Sequence, residues 1–97
     1  MNRDLHPTDG ARYLLELAAG GDGARAHYRA AIYTPDAEFT AAATLGDDGS
    51  VELGATGAPD ELHTRLISIA RLVARDAARR RDDGMPAWPA RILRWRR

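Results

Sequence analysis

Between Ala24 and Ala55 the chain alternates apolar and polar side chains in three runs separated by turn signals, and this constrains the fold more than any other feature. In the first run Ala26, Tyr28, Ala30 and Ile32 alternate with Arg25, His27 and Arg29. In the second, Phe39, Ala41, Ala43 and Leu45 alternate with Glu38, Thr40 and Thr44. The third sets Val51, Leu53 and Ala55 against Glu52. Each pattern is that of a strand buried on one face.

The connections specify the register. Thr34-Pro35-Asp36-Ala37 suits a type I turn with Pro35 at its second position. If Thr34 faces Ala37, then Ile32 faces Phe39, Ala30 faces Ala41, Tyr28 faces Ala43 and Ala26 faces Leu45. Gly46-Asp47-Asp48-Gly49 suits a type I turn with Gly49 in the left-handed region, pairing Gly46 with Ser50. Leu45 then faces Val51, Ala43 faces Leu53 and Ala41 faces Ala55. Both turns put the same side chains on one face, which a real sheet requires. The sequence therefore predicts a three-stranded antiparallel meander.

Helices are expected on either side of it. His6-Pro7-Thr8-Asp9 is a helix start signal, Ala11, Leu14, Leu15 and Ala18 recur at three- and four-residue spacing, and Gly20-Gly21-Asp22-Gly23 is a stop. Pro59-Asp60-Glu61 opens a long helix whose stripe is Leu62, Leu66, Ile69, Val73 and Ala77 and which ends at Gly84. At about 25 residues this helix spans roughly 37 Å, against about 27 Å for a strand of eight residues. It should overhang its sheet by two or three turns, leaving a second apolar row of Ile67, Leu72 and Ala74 partly bare. The expected fold is thus α+β in the order α-β-β-β-α, with both helices on one face of the sheet. Residues 1–84 form the domain, and 85–97 a Trp/Arg-rich segment docked on the domain or on a partner. Within that segment Pro89 can start a short helix carrying Trp88, Ile92 and Trp95 on one side.

The 97 residues allow one domain with a thin core. A hydrophobic fraction of 44% with 29% charged residues argues against disorder. No apolar run approaches a membrane span, Met1-Asn2-Arg3-Asp4-Leu5 lacks the apolar stretch of a signal peptide, and there is no cysteine for disulfides, thiolate chemistry or sulfur-ligated metals. A cytoplasmic location is expected. All 14 basic side chains are arginine, as GC-rich coding favours, and they are unevenly spread. Residues 1–60 carry 4 Arg and 10 carboxylates, whereas residues 61–97 carry 10 Arg and 4 carboxylates, so a chain of zero net charge is divided into halves of −6 and +6.

Catalytic constellations are thin. The register aligns His27, Thr44 and Glu52 across the outer face, where a His–carboxylate pair could act as base and orienter, but no nucleophile or oxyanion loop accompanies it. Asp60, Glu61 and His63 lie on one turn and lack a second ligand cluster. The Gly/Asp loops at 20–23 and 46–49 lack the trailing residues of a phosphate or calcium loop. No catalytic, cofactor or metal residue is therefore assigned. Fold analogy carries no functional weight for so common an element order.

The expectation is a small non-enzymatic interaction module, most simply a homodimer, whose surface combines the overhanging helix and the tail. Its anchors are Ile67, Leu72, Trp88, Ile92 and Trp95, and Arg79, Arg80, Arg81, Arg91 and Arg94 provide electrostatic contacts. The alternative is a nucleic-acid-binding module, because Arg interleaved with Trp suits phosphate contact and base stacking, although a pI near 6.8 argues against it. A membrane-surface role is disfavoured, since the tail helix would be only about nine residues long.

Overall fold

A computed structural model describes residues 6–20 and 23–97; Gly21 and Asp22 of the expected stop signal, like Met1–Leu5, lie outside the described residues. Five strands and one helix follow in the order β1 (Ala11–Ala19), β2 (Arg25–Tyr33), β3 (Glu38–Gly46), β4 (Val51–Leu53), α1 (Asp60–Asp82) and β5 (Arg91–Arg96). The fold is α+β. The strands form one antiparallel sheet in the order β4-β3-β2-β1-β5, and α1 packs on one face of it.

The meander has the expected register. Ile32 faces Phe39, Ala30 faces Ala41, Tyr28 faces Ala43 and Ala26 faces Leu45, while Leu45 faces Val51 and Ala43 faces Leu53. Both turns close as their residues predict: the Thr34 N–H donates to the Ala37 carbonyl (2.9 Å) and the Gly46 N–H to that of Ser50 (2.9 Å). The ladder stops short of the expected Ala41–Ala55 pair. β4 ends at Leu53, and pairing continues only as a bond from the Gly54 N–H to the Ala42 carbonyl (3.0 Å).

The expected N-terminal helix and the short helix expected in the tail are strands instead, so the sheet has five strands rather than three and, among the described residues, α1 is the one helix left of the two in the expected α-β-β-β-α order. In the N-terminal segment, Tyr13 and Leu15 face Ile32 and Ala30 on the α1 side, whereas Leu14 faces Ala31 on the other, and all are buried. Superimposing two period-two sets produces the three-and-four spacing that reads as a helix. The start signal around Pro7 is a bend leading into β1. His6 Nδ1 lies 2.7 Å from the Thr34 carbonyl, the His6 ring meets Tyr33 edge-on at 5.3 Å, and Gly10, at φ 71°, has no room for a side chain against the Arg96 backbone.

The C-terminal segment pairs with β1 as the fifth strand, with Leu15 facing Ile92 and Tyr13 facing Arg94. Ile92 and Trp95 therefore point to opposite faces and share no helical side. An isolated helix of so few residues is marginal in water, whereas the ladder satisfies the backbone of both strands.

The helix α1 carries Asp60 and Glu61 in its first turn and Arg79–Arg81 in its last. Its buried residues are Leu66, Ile69, Ala70, Ala74 and Ala77, so Ala74 belongs to the inner stripe and not to a second row. At 23 residues it spans about 34 Å, and the nine-residue strands about 30 Å. The overhang is close to one turn, and the chain's own segments occupy it. Arg81 reaches Asp47 (3.2 Å) and the Gly23 carbonyl (3.2 Å), and Trp88 Nε1 donates to that same carbonyl (2.8 Å). Trp88, only 2% exposed, packs edge-on against Tyr28 in the main core.

Candidate interaction surface

The flank of α1 facing the C-terminal segment forms a groove. Leu72, Val73, Asp76, Arg79 and Arg80 line its helix side, and Pro89, Ile92 and Arg94 its strand side. Ile92 (6% exposed) lies at its base and Leu72 (65% exposed) stands on its rim. Asp76 pairs with Arg79, and Arg80 Nε donates to the Pro86 carbonyl (2.9 Å). The groove gathers Leu72, Ile92, Arg79, Arg80 and Arg94 of the residues singled out from sequence.

The others are elsewhere. Ile67 is half-buried and lies about 140° around the helix from Leu72, so the two cannot belong to one helix face. Trp88 is in the core and is not available as a surface anchor. Trp95 is 43% exposed on the face away from α1, where its Nε1 donates to the Asp9 carbonyl (3.1 Å). Arg97 lies 5.5 Å over its ring and pairs with Asp9 (3.2 Å). Arg81 is held by Asp47. Arg91 is exposed and opposes Glu16 in the β1–β5 register. The arginines of the C-terminal half thus point several ways instead of forming one stripe, and Trp88 is too deep to stack on a base.

The outer face of β2 and β3 holds a shallow depression lined by Ala18, His27, Arg29, Thr40, Ala42 and Thr44. Arg29 is flanked by Glu16 and Glu38, each at 3.5 Å, and His27 Nδ1 is 3.2 Å from Thr44 Oγ1. Beside them Arg29 faces Ala42, and the Gly54 N–H bonds to the Ala42 carbonyl.

The remaining motifs have structural partners. His63 Nδ1 lies 3.1 Å from Thr56 Oγ1, which accepts the Ala58 N–H (3.1 Å). Among the described residues no group of three or more His, Asp or Glu converges on a metal-sized site. In the 46–49 turn the Ser50 hydroxyl and backbone N–H hold the Asp48 carboxyl below its ordinary range. No helix among the described residues is long and apolar enough to cross a membrane. No protein-family model, curated protein or solved structure matches the chain.

The sequence reading missed Asp76 and Pro89 as partners in the groove, and Arg96 as a member of an open sheet edge. A signal was present: Ile92 and Arg94 alternate with Leu93 and Trp95, a period of two that the 88/92/95 spacing masks.

Proposed function

We propose that the chain is a small non-enzymatic protein-interaction module that self-associates through the α1–β5 side of the molecule. The observation that carries this reading is the 65% exposure of Leu72 beside a groove in which Val73, Pro89 and Ile92 are joined by Asp76, Arg79, Arg80 and Arg94. Fully burying a leucine side chain contributes about 1.5–3 kcal/mol, enough to anchor a modest interface when flanking contacts exclude water. The geometry lends less support to nucleic acid, because its arginines are divided between surfaces and Trp88 is internal.

Sedimentation equilibrium over a dilution series tests the reading. Wild-type mass should rise with concentration, Leu72→Asp should remain monomeric, and Ile67→Ser, on the other flank, should behave as wild type. A wild-type chain that is monomeric throughout overturns self-association, and so does a Leu72→Asp chain that dimerises unchanged.

A further inference from the structure

The strand β5 ends the sheet, and among the described residues nothing pairs with its outer edge. Its ladder shows which backbone groups face outward. The Leu17 N–H donates to the Ala90 carbonyl (2.9 Å), which makes these a hydrogen-bonded pair. Antiparallel alternation then turns the N–H and C=O groups of Ile92, Arg94 and Arg96 toward β1, and those of Arg91, Leu93 and Trp95 away from the sheet. The side chains agree. Arg94 Nη1 donates to the Leu93 carbonyl (3.0 Å) and Arg96 Nη1 to the Trp95 carbonyl (2.8 Å), so each guanidinium folds back over an edge oxygen of its own strand.

We propose that this edge takes up an acidic, extended segment of a partner protein as a sixth strand. An incoming strand offers N–H groups to the Leu93 and Trp95 carbonyls and displaces the two guanidinium caps. The released Arg94 and Arg96 then lie beside the new strand, with Arg91 on the opposite face, and bind carboxylates better than they bind carbonyls. Side chains of the segment that turn toward α1 lie beside Arg94 and Arg96 and carry the carboxylates, while those that turn to the other face lie beside Leu93 and Trp95 and are apolar. Acidic residues are thus required on the α1 side of the edge and apolar ones are accommodated on the other.

Charge decides against a second copy of β5 as the occupant. The strand carries three arginines and no carboxylate, so two copies paired edge to edge would gather six guanidinium groups along one seam with no counter-charge from either strand, and like charges brought together across a ladder are destabilising. A nucleic acid would use the guanidinium groups but could not alternate donors and acceptors along the edge. The inference rests on the reading of the chain as an interaction module, though not on its self-association.

The probe is a labelled peptide of about nine residues alternating glutamate with valine, titrated by fluorescence anisotropy at low salt. Controls are the same peptide with lysine for glutamate, and one N-methylated at alternate amides on either edge. The glutamate peptide should bind and the lysine peptide should not. N-methylation and the double variant Arg94→Glu/Arg96→Glu, checked for folding by circular dichroism, should each weaken binding at least about tenfold. Arg94→Gln should show a smaller loss in the same direction. In amide exchange, the Leu93 and Trp95 N–H groups should gain protection when the peptide is bound.

Equal binding of the N-methylated peptides would overturn the strand, leaving only electrostatic attraction. No binding of the glutamate peptide to folded protein, or stronger binding of a single-stranded oligonucleotide of equal charge, would overturn it too. Mass measured in the same samples separates the two readings. A dimer that ignores the peptide sinks only the strand, and a monomer that binds it sinks only self-association.

Discussion

Tyr28 shows how one side chain ties distant parts of the chain together. Its position in the period-two pattern of β2 sends the ring into the core, where the hydroxyl donates to the Pro89 carbonyl (2.7 Å) and the ring meets Trp88 edge-on at 6.5 Å. Burial pushes the phenol up to about 12, with Arg80 opposing the shift. A folded value above the unfolded one means that the neutral phenol's contribution is complete below pH about 10 and is lost as the pH rises toward 12. Tyr28→Phe should therefore cost about 1 kcal/mol at pH 7 through the lost hydrogen bond, and its stability should fall less steeply than that of wild type above pH 10. Urea unfolding at pH 7 and at several pH values above 10 checks both parts. Parallel alkaline profiles would show that Tyr28 does not control this window.

The elements divide into those whose sequence carries one period and those whose sequence carries two. β3 and β4, and β2 as far as Ala30, bury one face only, so the alternation was legible, and the turns at Thr34–Ala37 and Gly46–Ser50 fixed their register. The helix was legible for the same reason, with Leu66, Ile69 and Ala77 on one stripe and Pro59 and Gly84 at its ends. β1 and β5 were not. Leu14 and Leu93 face each other on the outer side, where a second cluster includes Ala31 and Tyr33, while Leu15 and Ile92 face each other on the inner side. Apolar residues on both faces erase the alternation, and only tertiary pairing restores it. The candidate site was legible in part: groove residues on α1 and β5 could be named, and the roughly 140° between Ile67 and Leu72 on the helix already parts those two, but Trp88 is excluded only by its burial in the core and Trp95 only by the pairing of β5. The two tryptophans report this difference directly. Trp88→Phe should leave a red-shifted emission from half-exposed Trp95, and Trp95→Phe a blue-shifted one from buried Trp88. Matching spectra for the two variants would contradict the strand assignment of the tail.

At the scale of the whole molecule, the last strand completes a sheet that the first begins. β1 lies between β2 and β5, so the C-terminal residues cover the open side of a central strand, and Trp88 and Ile92 fill the core beneath α1. The charge division follows the same geometry. The basic half supplies α1 and β5, the acidic half supplies the other four strands, and Arg81–Asp47 and Arg97–Asp9 join the two. Exposed pairs of this kind are worth under about 1 kcal/mol each, so burial, not charge, must hold the halves together. Residues 85–97 are therefore part of the folding unit, and a boundary at 84 would divide the core. A chain ending at Gly84 would lose Trp88, at a cost of about 3–5 kcal/mol for that residue alone, together with Ile92 and the whole β1–β5 ladder. Stabilities of small domains are only about 5–15 kcal/mol, so the 1–84 chain should lose cooperative unfolding and expose the β1 edge to aggregation. Adding the 85–97 peptide in trans should restore part of the native circular dichroism, because the edge it pairs with is then open. A 1–84 chain with a sharp thermal transition near that of the full protein would show instead that β5 is an accessory strand, and that the core closes without it.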